Sequence, residues 1–280
     1  MSVINTNVNS LVAQNAVNVN SRALSDAMEQ LSTGKRINGA KDDAAGLSIS
    51  QIMTAQIRGL NQAVRNANDG ISLLQTADGA MIEQTNMMQR MRELAVQSAN
   101  DTVTTTQKTY LNTEFQALKA EIDRIGTQTQ WNGKDLLMKT GGGASDGTYK
   151  FQVGAGNTAT NSVSVVINKA TTADIYTAIS ASVIGTTSGA SDAIASLDTA
   201  IEAGSNQRSV LGAAINQLTY AADNLSNISM NTAASRSRIE DTDYATASTE
   251  LARTQIIQQA ATAMLAQANQ SPQSVLALLK

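Results

Sequence analysis

The sequence predicts a mainly α-helical protein, a long antiparallel helical bundle or coiled coil with a small β-hairpin. Three observations predict it. Apolar residues recur at alternating steps of three and four over long stretches at both ends of the 280-residue chain, the spacing of a helix that packs on other helices. Aromatic residues make up only 3% of the chain, which argues against a large β-sandwich. Between the two helical ends lie two short runs in which apolar and polar residues alternate, as on a strand with one buried face.

At the N-terminus, Val8 can be set at zero on a helical wheel of about 100° per residue. Val8, Val12, Ala16, Val19 and Ala23 then fall within about 80° of one another. Ala13, Val17, Leu24, Met28 and Leu31 form a second stripe about 140–200° round. Gln14, Asn18, Ser21, Arg22, Ser25 and Glu29 take the remaining face. A helix on the outside of a globule needs one apolar stripe; this one has two.

The next pattern is Ile57, Leu60, Val64, Ala67, Ile71, Leu74, Ala77, Met81, Met88, Met91 and Ala95. It drifts after Leu74, and Gly59, Gly70 and Gly79 each weaken it by up to about 1 kcal/mol. Thr104-Thr105-Thr106-Gln107 reads as a helix start of the capping-box kind. Leu111, Phe115, Leu118, Ile122 and Ile125 follow. Gly141-Gly142-Gly143 opens a Gly/Ser/Thr-rich stretch. Tyr149, Phe151 and Val153 alternate, as do Val163, Val165 and Ile167, with Gly154 to Asn157 between them; these are the hairpin strands. A further helix runs from Ile194 and Leu197 through Leu211, Ile215, Leu218, Ala222, Leu225, Ser229, Thr232 and Arg236 to Ile239. The last segment resembles the first, with Ala247, Leu251, Ile257, Ala261, Met264, Leu265 and Ala268, then Val275, Leu276, Leu278 and Leu279.

Composition excludes whole classes of chemistry. There is no Cys and no His. A disulfide frame, a thiolate nucleophile, a Cys- or His-ligated metal and a Ser-His-Asp triad are therefore out of reach. Twenty basic against 23 acidic residues give a net charge of −3, a poor balance for nucleic-acid binding. Hydrophobic residues amount to 42%, so a core must be built from Ala, Leu, Ile, Val and Met. Residues 1–21 carry no charge, and Asn5, Asn7, Asn9, Gln14, Asn15, Asn18 and Asn20 interrupt every apolar run. Neither a cleavable signal nor a membrane span is expected. The ordinary rules then place the chain in the cytoplasm, unless it leaves by a route they do not describe.

Several motifs in order carry a resemblance. Leu31-Ser-Thr-Gly-Lys-Arg-Ile-Asn-Gly-Ala-Lys-Asp-Asp-Ala-Ala-Gly-Leu47 closely resembles the N-terminal signature of bacterial flagellins. Asn66-Ala-Asn-Asp-Gly70, Gln75-Thr-Ala-Asp-Gly-Ala80 and Gln89-Arg-Met-Arg-Glu-Leu-Ala-Val-Gln97 are similar to the segments that follow it. Ser235-Arg-Ser-Arg-Ile-Glu-Asp-Thr-Asp-Tyr-Ala245, then Gln258 to Ala260 and Leu265 to Gln270, resemble the C-terminal signature. The match covers roughly residues 1–137 and 190–280.

The resemblance implies a self-assembling filament subunit of the bacterial flagellum, not an enzyme, with no cofactor and no metal. It implies an inner helical layer of residues 1–42 and 238–280 around a channel. An outer layer would comprise 43–137 and 190–237. A short hairpin and surface loop at 138–189 would replace any large inserted domain. Inner-layer packing would fall to Val8, Val12, Val17, Val19, Leu24, Met28, Leu31, Leu251, Ile257, Met264, Leu265, Val275, Leu276, Leu278 and Leu279. The mixed charges Lys35, Arg36, Lys41, Asp42, Asp43, Arg236, Arg238, Glu240, Asp241 and Asp243 would fix an interlayer joint, although surface ion pairs contribute only about 0–1 kcal/mol. Gln89, Arg90, Leu94 and Glu114 match positions that contact the vertebrate Toll-like receptor for flagellin. The implied partners are copies of the chain, an export chaperone, and filament cap and junction proteins, with export through the flagellar secretion apparatus without signal cleavage. A hook–filament junction protein and a soluble coiled-coil adaptor are the competing readings. Adjacent acids such as Asp42 and Asp43, or Glu240 with Asp241 and Asp243, could be imagined as a metal or acid–base site, but such acids on a helix end are far more often solvated or salt-bridged.

Overall fold

Apolar periodicity becomes helix in the same order along the chain. The computed structural model of the protein describes residues 6–137, 147–167 and 179–277, without the side chains of residues 159 and 271–277. Among the described residues the long helices are α1 (Val8–Thr33), α2 (Ala44–Ala99), α3 (Thr105–Gln128), α4 (Thr187–Glu240) and α5 (Tyr244–Ala277). Short strands β1 (Gln130–Trp131) and β2 (Lys134–Asp135) pair antiparallel, as do β3 (Thr148–Gln152) and β4 (Ser162–Val166). The chain forms two compact units, residues 1–57 with 230–280, and residues 58–229.

In the unit 58–229 the long helices run antiparallel. Contacts between α2 and α4 pair rising with falling numbers: Asn61 with Ser229, Asp78 with Arg208, Arg92 with Asp198. Between α2 and α3 the same holds for Gln84 with Ile122 and Arg90 with Glu114. The predicted apolar run turns inward: Leu60, Ala67, Leu74, Ala77, Met81, Met88, Met91 and Ala95 are all buried. Phe115 and Ile122 of α3 and Ala193, Leu197 and Ala200 of α4 close one cluster around Met88, Met91 and Leu94. Small residues on α4 and flexible thioethers on α2 fill a core that has few rings to fill it. Thr104 caps α3 in the expected way: its side chain accepts from the Gln107 amide, and the Gln107 side chain accepts from the Thr104 amide.

The predicted hairpin is β3–β4, with Tyr149 opposite Val165 and Phe151 opposite Val163. Val163, Val165 and Ile167 bury against Leu73, Leu74 and Ala77 of α2 and Leu211 and Leu218 of α4. Phe151 lies where a side chain on residue 70 would be, since a Cβ added to Gly70 would sit 2.8 Å from its ring. The ribbon β1–β2 is a second hairpin that the alternation pattern did not announce. Its two-residue turn, Asn132-Gly133, has both residues at positive φ, 50° and 74°, the backbone of a type I′ turn. The glycine run at 141–143 lies outside the described residues.

In the unit 1–57 with 230–280, α1 pairs with α5 and the connector 34–43 lies beside residues 239–244. Gly34 ends α1 at φ 71°, its amide bonding the Gln30 carbonyl, a left-handed cap that a β-carbon disfavours. A Cβ there would also meet the Tyr244 hydroxyl at 2.9 Å. Ile37 is buried in the connector.

Candidate functional site on the terminal helices

The α1–α5 pair is antiparallel and meets along one heptad-spaced seam. On α1 the covered residues include Ala13, Val17, Asn20, Leu24, Ala27 and Leu31, stepping 4, 3, 4, 3, 4. On α5 they include Ala247, Leu251, Thr254, Gln258, Ala261, Leu265 and Ala268, stepping 4, 3, 4, 3, 4, 3. Such a/d spacing is what keeps two helices in contact along their length. Three polar residues, Asn20, Thr254 and Gln258, stand in this seam. Asn20 is buried and its Nδ2 donates to the Thr254 carbonyl at 2.8 Å and to Gln258 Oε1 at 2.9 Å. Near the ends, Asn7 Nδ2 donates to the Ala268 carbonyl at 2.8 Å and the Ser10 hydroxyl to Asn269 Oδ1 at 2.7 Å. The asparagines that interrupt every apolar run in the N-terminal sequence are thus partly seam residues. Asn20 is a seam position that the wheel reading passed over. Its place between Val17 and Leu24 in the 4–3–4 series was the available signal.

The seam uses one apolar stripe of each helix. Of the residues assigned to packing, Val17, Leu24, Leu31, Leu251 and Leu265 lie in it. Val8, Val12 and Val19 lie outside, with Val12 64% exposed. On α5, Ile257 and Met264 are also exposed, Met264 by 64%. Leu11 and Ile256 join the uncovered set. Met28, grouped with the inward stripe on the wheel, is 56% exposed; at about 200° it is at the flank of the seam, whose centre lies near 140°. Val12, Ala13 and Ala16 face Met264 and Ala268 across an apolar groove of about 530 Å³, whose polar lining is Asn9 and Gln267. Val275 and Leu276 belong to α5, but their side chains lie outside the described residues, as do Leu278 and Leu279 altogether. Burying large exposed aliphatics is the main way such a surface gains free energy, about 1.5–3 kcal/mol for each full side chain.

The charges near residue 240 divide into two groups. Glu240 is a hub: Lys35 Nζ lies 2.5 Å from Oε1 and Arg236 Nε 3.9 Å from Oε2. Its carbonyl accepts from the Arg36 amide at 2.7 Å, and the Arg36 guanidinium donates to the Ile239 carbonyl at 2.6 Å. Lys35 and Asp241 form a single β-bridge, and Asp241 accepts from the Ser237 hydroxyl. Arg236 also donates to Thr54 Oγ1. The other acids serve local backbone. Asp42 accepts from the Asn38 and Gly39 amides, and Asp43 from the Gly46 amide. Arg238 is exposed and bonds Ser235. Lys41 pairs with Asp26 at 3.1 Å, which holds its ammonium above the usual lysine range. Asp243 accepts from the Ala245 amide and the Thr246 hydroxyl at the start of α5, and those bonds hold its carboxyl below the usual range. Among the described residues no group of three His, Cys, Asp or Glu side chains is placed to hold a metal ion.

Of the four remaining singled-out residues, Gln89, Arg90 and Glu114 are exposed. Arg90 joins α2 to α3 through Glu114 at 3.0 Å and also pairs with Glu93 at 2.9 Å. Bonding to Glu93 first, then to Glu114, raises its already high pKa. Leu94 is 1% exposed and packs with Met91 and Phe115, so it acts on this surface only as the packing beneath it.

Comparison with known proteins gives the following. The family described as bacterial flagellin N-terminal helical region matches residues 4–141, and the bacterial flagellin C-terminal helical region matches residues 194–279. The chain is 46% identical to a flagellin of Halalkalibacterium halodurans, over 99% of this chain and 100% of that one. It is 37% identical to polar flagellin F of Vibrio parahaemolyticus, over 99% of each chain. That alignment runs over 372 positions, so the Vibrio protein carries residues that this chain lacks. A crystal structure of Bacillus cereus flagellin superposes with a TM-score of 0.50 at 29% identity, covering 57% of this chain and 88% of that one. No helix of the described residues is long and apolar enough to cross a membrane.

Proposed function

The chain belongs to the bacterial flagellin family, and from that premise we propose that it is the structural subunit of an extracellular flagellar filament, polymerising with copies of itself for swimming. The observation that carries this reading is the uncovered second stripe of the paired terminal helices. Val8, Leu11, Val12 and Val19 on α1 and Ile256, Ile257 and Met264 on α5 stay exposed after the seam is made. Contacts that repeat from copy to copy without closing give an open helical assembly, and each added copy removes this apolar surface from water.

In this reading residues 1–42 and 238–280 form the inner layer and 43–137 with 190–237 the outer. The Lys35–Glu240–Arg236 cluster fixes the joint, and the segment 138–189 faces outward. The apolar C-terminal end, Val275 to Leu279, is held by an export chaperone before assembly, and cap and junction proteins bound the filament. No nucleic acid and no membrane insertion is involved. Seeded elongation tests it: purified chain added to short fragments of its own fibres should lengthen them without limit under the electron microscope. A Val12→Asp variant should keep monomer helicity and elongate at least tenfold more slowly. A wild-type chain that binds one partner stoichiometrically and never lengthens a seed supports the adaptor reading instead. Abundance in sheared appendages separates a major filament subunit from a junction protein.

A second activity rests on the exposed Gln89, Arg90 and Glu114, which the Arg90–Glu114 bridge holds on one surface across α2 and α3. We propose that this surface is a ligand of the vertebrate Toll-like flagellin receptor. Arg90→Ala should lower receptor signalling in a reporter cell line at equal protein concentration; equal signalling by variant and wild type rejects it.

A further inference from the structure

Methionines stand in two kinds of surroundings in this protein. Met81, Met88 and Met91 are 1% exposed or less, out of reach of a solute. Met28, Met230 and Met264 are 56%, 60% and 64% exposed. Of these three, Met264 alone lines the groove between α1 and α5, against Val12, Ala13, Ala16 and Ala268. We propose that Met264 is an oxidation site of the unassembled chain, and that its conversion to the sulfoxide by peroxides blocks addition of that chain to a filament. This inference rests on the self-assembly reading given above.

The chemistry needs only a peroxide. The thioether sulfur attacks the distal peroxide oxygen and the O–O bond breaks. One oxygen atom is transferred, sulfur loses two electrons to become the sulfoxide, and hydrogen peroxide leaves as water. The product is a polar, chiral group in place of a flexible apolar one. In the free chain the change costs little, because the side chain is mostly in water. In the assembled state a second copy covers the groove, and the sulfoxide oxygen must then give up its hydration. The polar groups that line the groove are those of Asn9 and Gln267; a strong acceptor buried among aliphatics without a full set of donors is disfavoured. The same thioether, once covered by a neighbour, is shielded from the oxidant. The subunit is therefore sensitive during the interval between synthesis and incorporation.

The test uses the full chain with its own seeds, and hydrogen peroxide as the probe. Mass spectrometry locates the added oxygen, and electron microscopy gives the elongation rate. Oxidised wild type should elongate at least tenfold more slowly than untreated. Met264→Leu should keep its rate within twofold after the same treatment. The double variant Met28→Leu, Met230→Leu should lose as much as wild type. Met264→Gln, which is polar without peroxide, should be slow from the outset. The inference is overturned if chain carrying the Met264 sulfoxide elongates at the untreated rate, or if Met264→Leu is slowed as much as wild type. Untreated wild type that fails to lengthen seeds sinks the assembly reading, and this inference with it; a failure seen only in the peroxide arms sinks this inference alone.

Discussion

At the scale of single residues, polar side chains decide how the terminal helices meet. A seam of leucines and valines alone would tolerate sliding by a heptad; Asn20 does not, because its amide is matched to the Thr254 carbonyl and Gln258 at one register. Truncation removes both bonds and leaves Gln258 without this partner. Asn20→Ala should lower the stability of the α1–α5 pair by about 1–2 kcal/mol, read as faster amide exchange at α1 and α5 in the assembled filament, with no change in residues 58–229. The motif signatures and the charge cluster were legible residue by residue, yet their contacts were not. Asp42 and Asp43 read as members of a joint, but each accepts from backbone amides within four residues. A one-dimensional pattern of charges does not distinguish a carboxylate that caps a turn from one that meets a distant cation. Glu240 became the hub because the chain returns to it over more than 200 positions, through Lys35 and Arg36.

At the scale of elements, period was a sufficient guide to the inward faces of the long helices. The runs from Ile57 to Ala95, Leu111 to Ile125 and Leu211 to Ile239 each became the inward face of α2, α3 or α4. The capping box at Thr104 was readable because it is set by neighbours in sequence, and the strands β3 and β4 because their side chains alternate. The ribbon β1–β2 was passed over because its strands are two residues long, too short for alternation to register; its Asn-Gly turn carried the information instead. Glycines in α2 show where sequence and packing part company. By propensity alone Gly70 and Gly79 weaken the helix equally. Gly79 has nothing within 4 Å of an added Cβ, whereas at Gly70 the Phe151 ring is 2.8 Å away. Gly79→Ala should therefore stabilise residues 58–229 by about 0.5–1 kcal/mol. Gly70→Ala should destabilise them, as the ring leaves its site and overpacking outweighs the propensity gain. Thermal unfolding of the two variants checks this, and a shift of the same sign in both would refute it.

At the scale of the whole molecule the two compact units have different claims to stability. Residues 58–229 bury Met, Leu, Ile and Phe side chains completely from several elements. The terminal helices share one seam, in which Val17, Leu24, Leu31, Leu251 and Leu265 are only half-buried, while Val8, Val12, Val19, Ile256, Ile257 and Met264 face outward. Ordering each backbone residue costs on the order of 1–2 kcal/mol, while a fully buried aliphatic side chain returns about 1.5–3 kcal/mol. Covering one stripe of two leaves the pair short of what its length requires, so both ends should be held mainly by neighbouring copies. The wheel arithmetic made the two stripes visible from sequence; which of them the chain covers itself followed only from the α5 partner, more than 200 residues away. Amide exchange, measured on the dilute monomer and on the filament, tests this most directly. Residues 8–31 and 244–270 should exchange rapidly in the monomer and at least a hundredfold more slowly in the filament, while residues 58–99 are protected in both. Strong protection of residues 8–31 in the dilute monomer, unchanged on assembly, would contradict it.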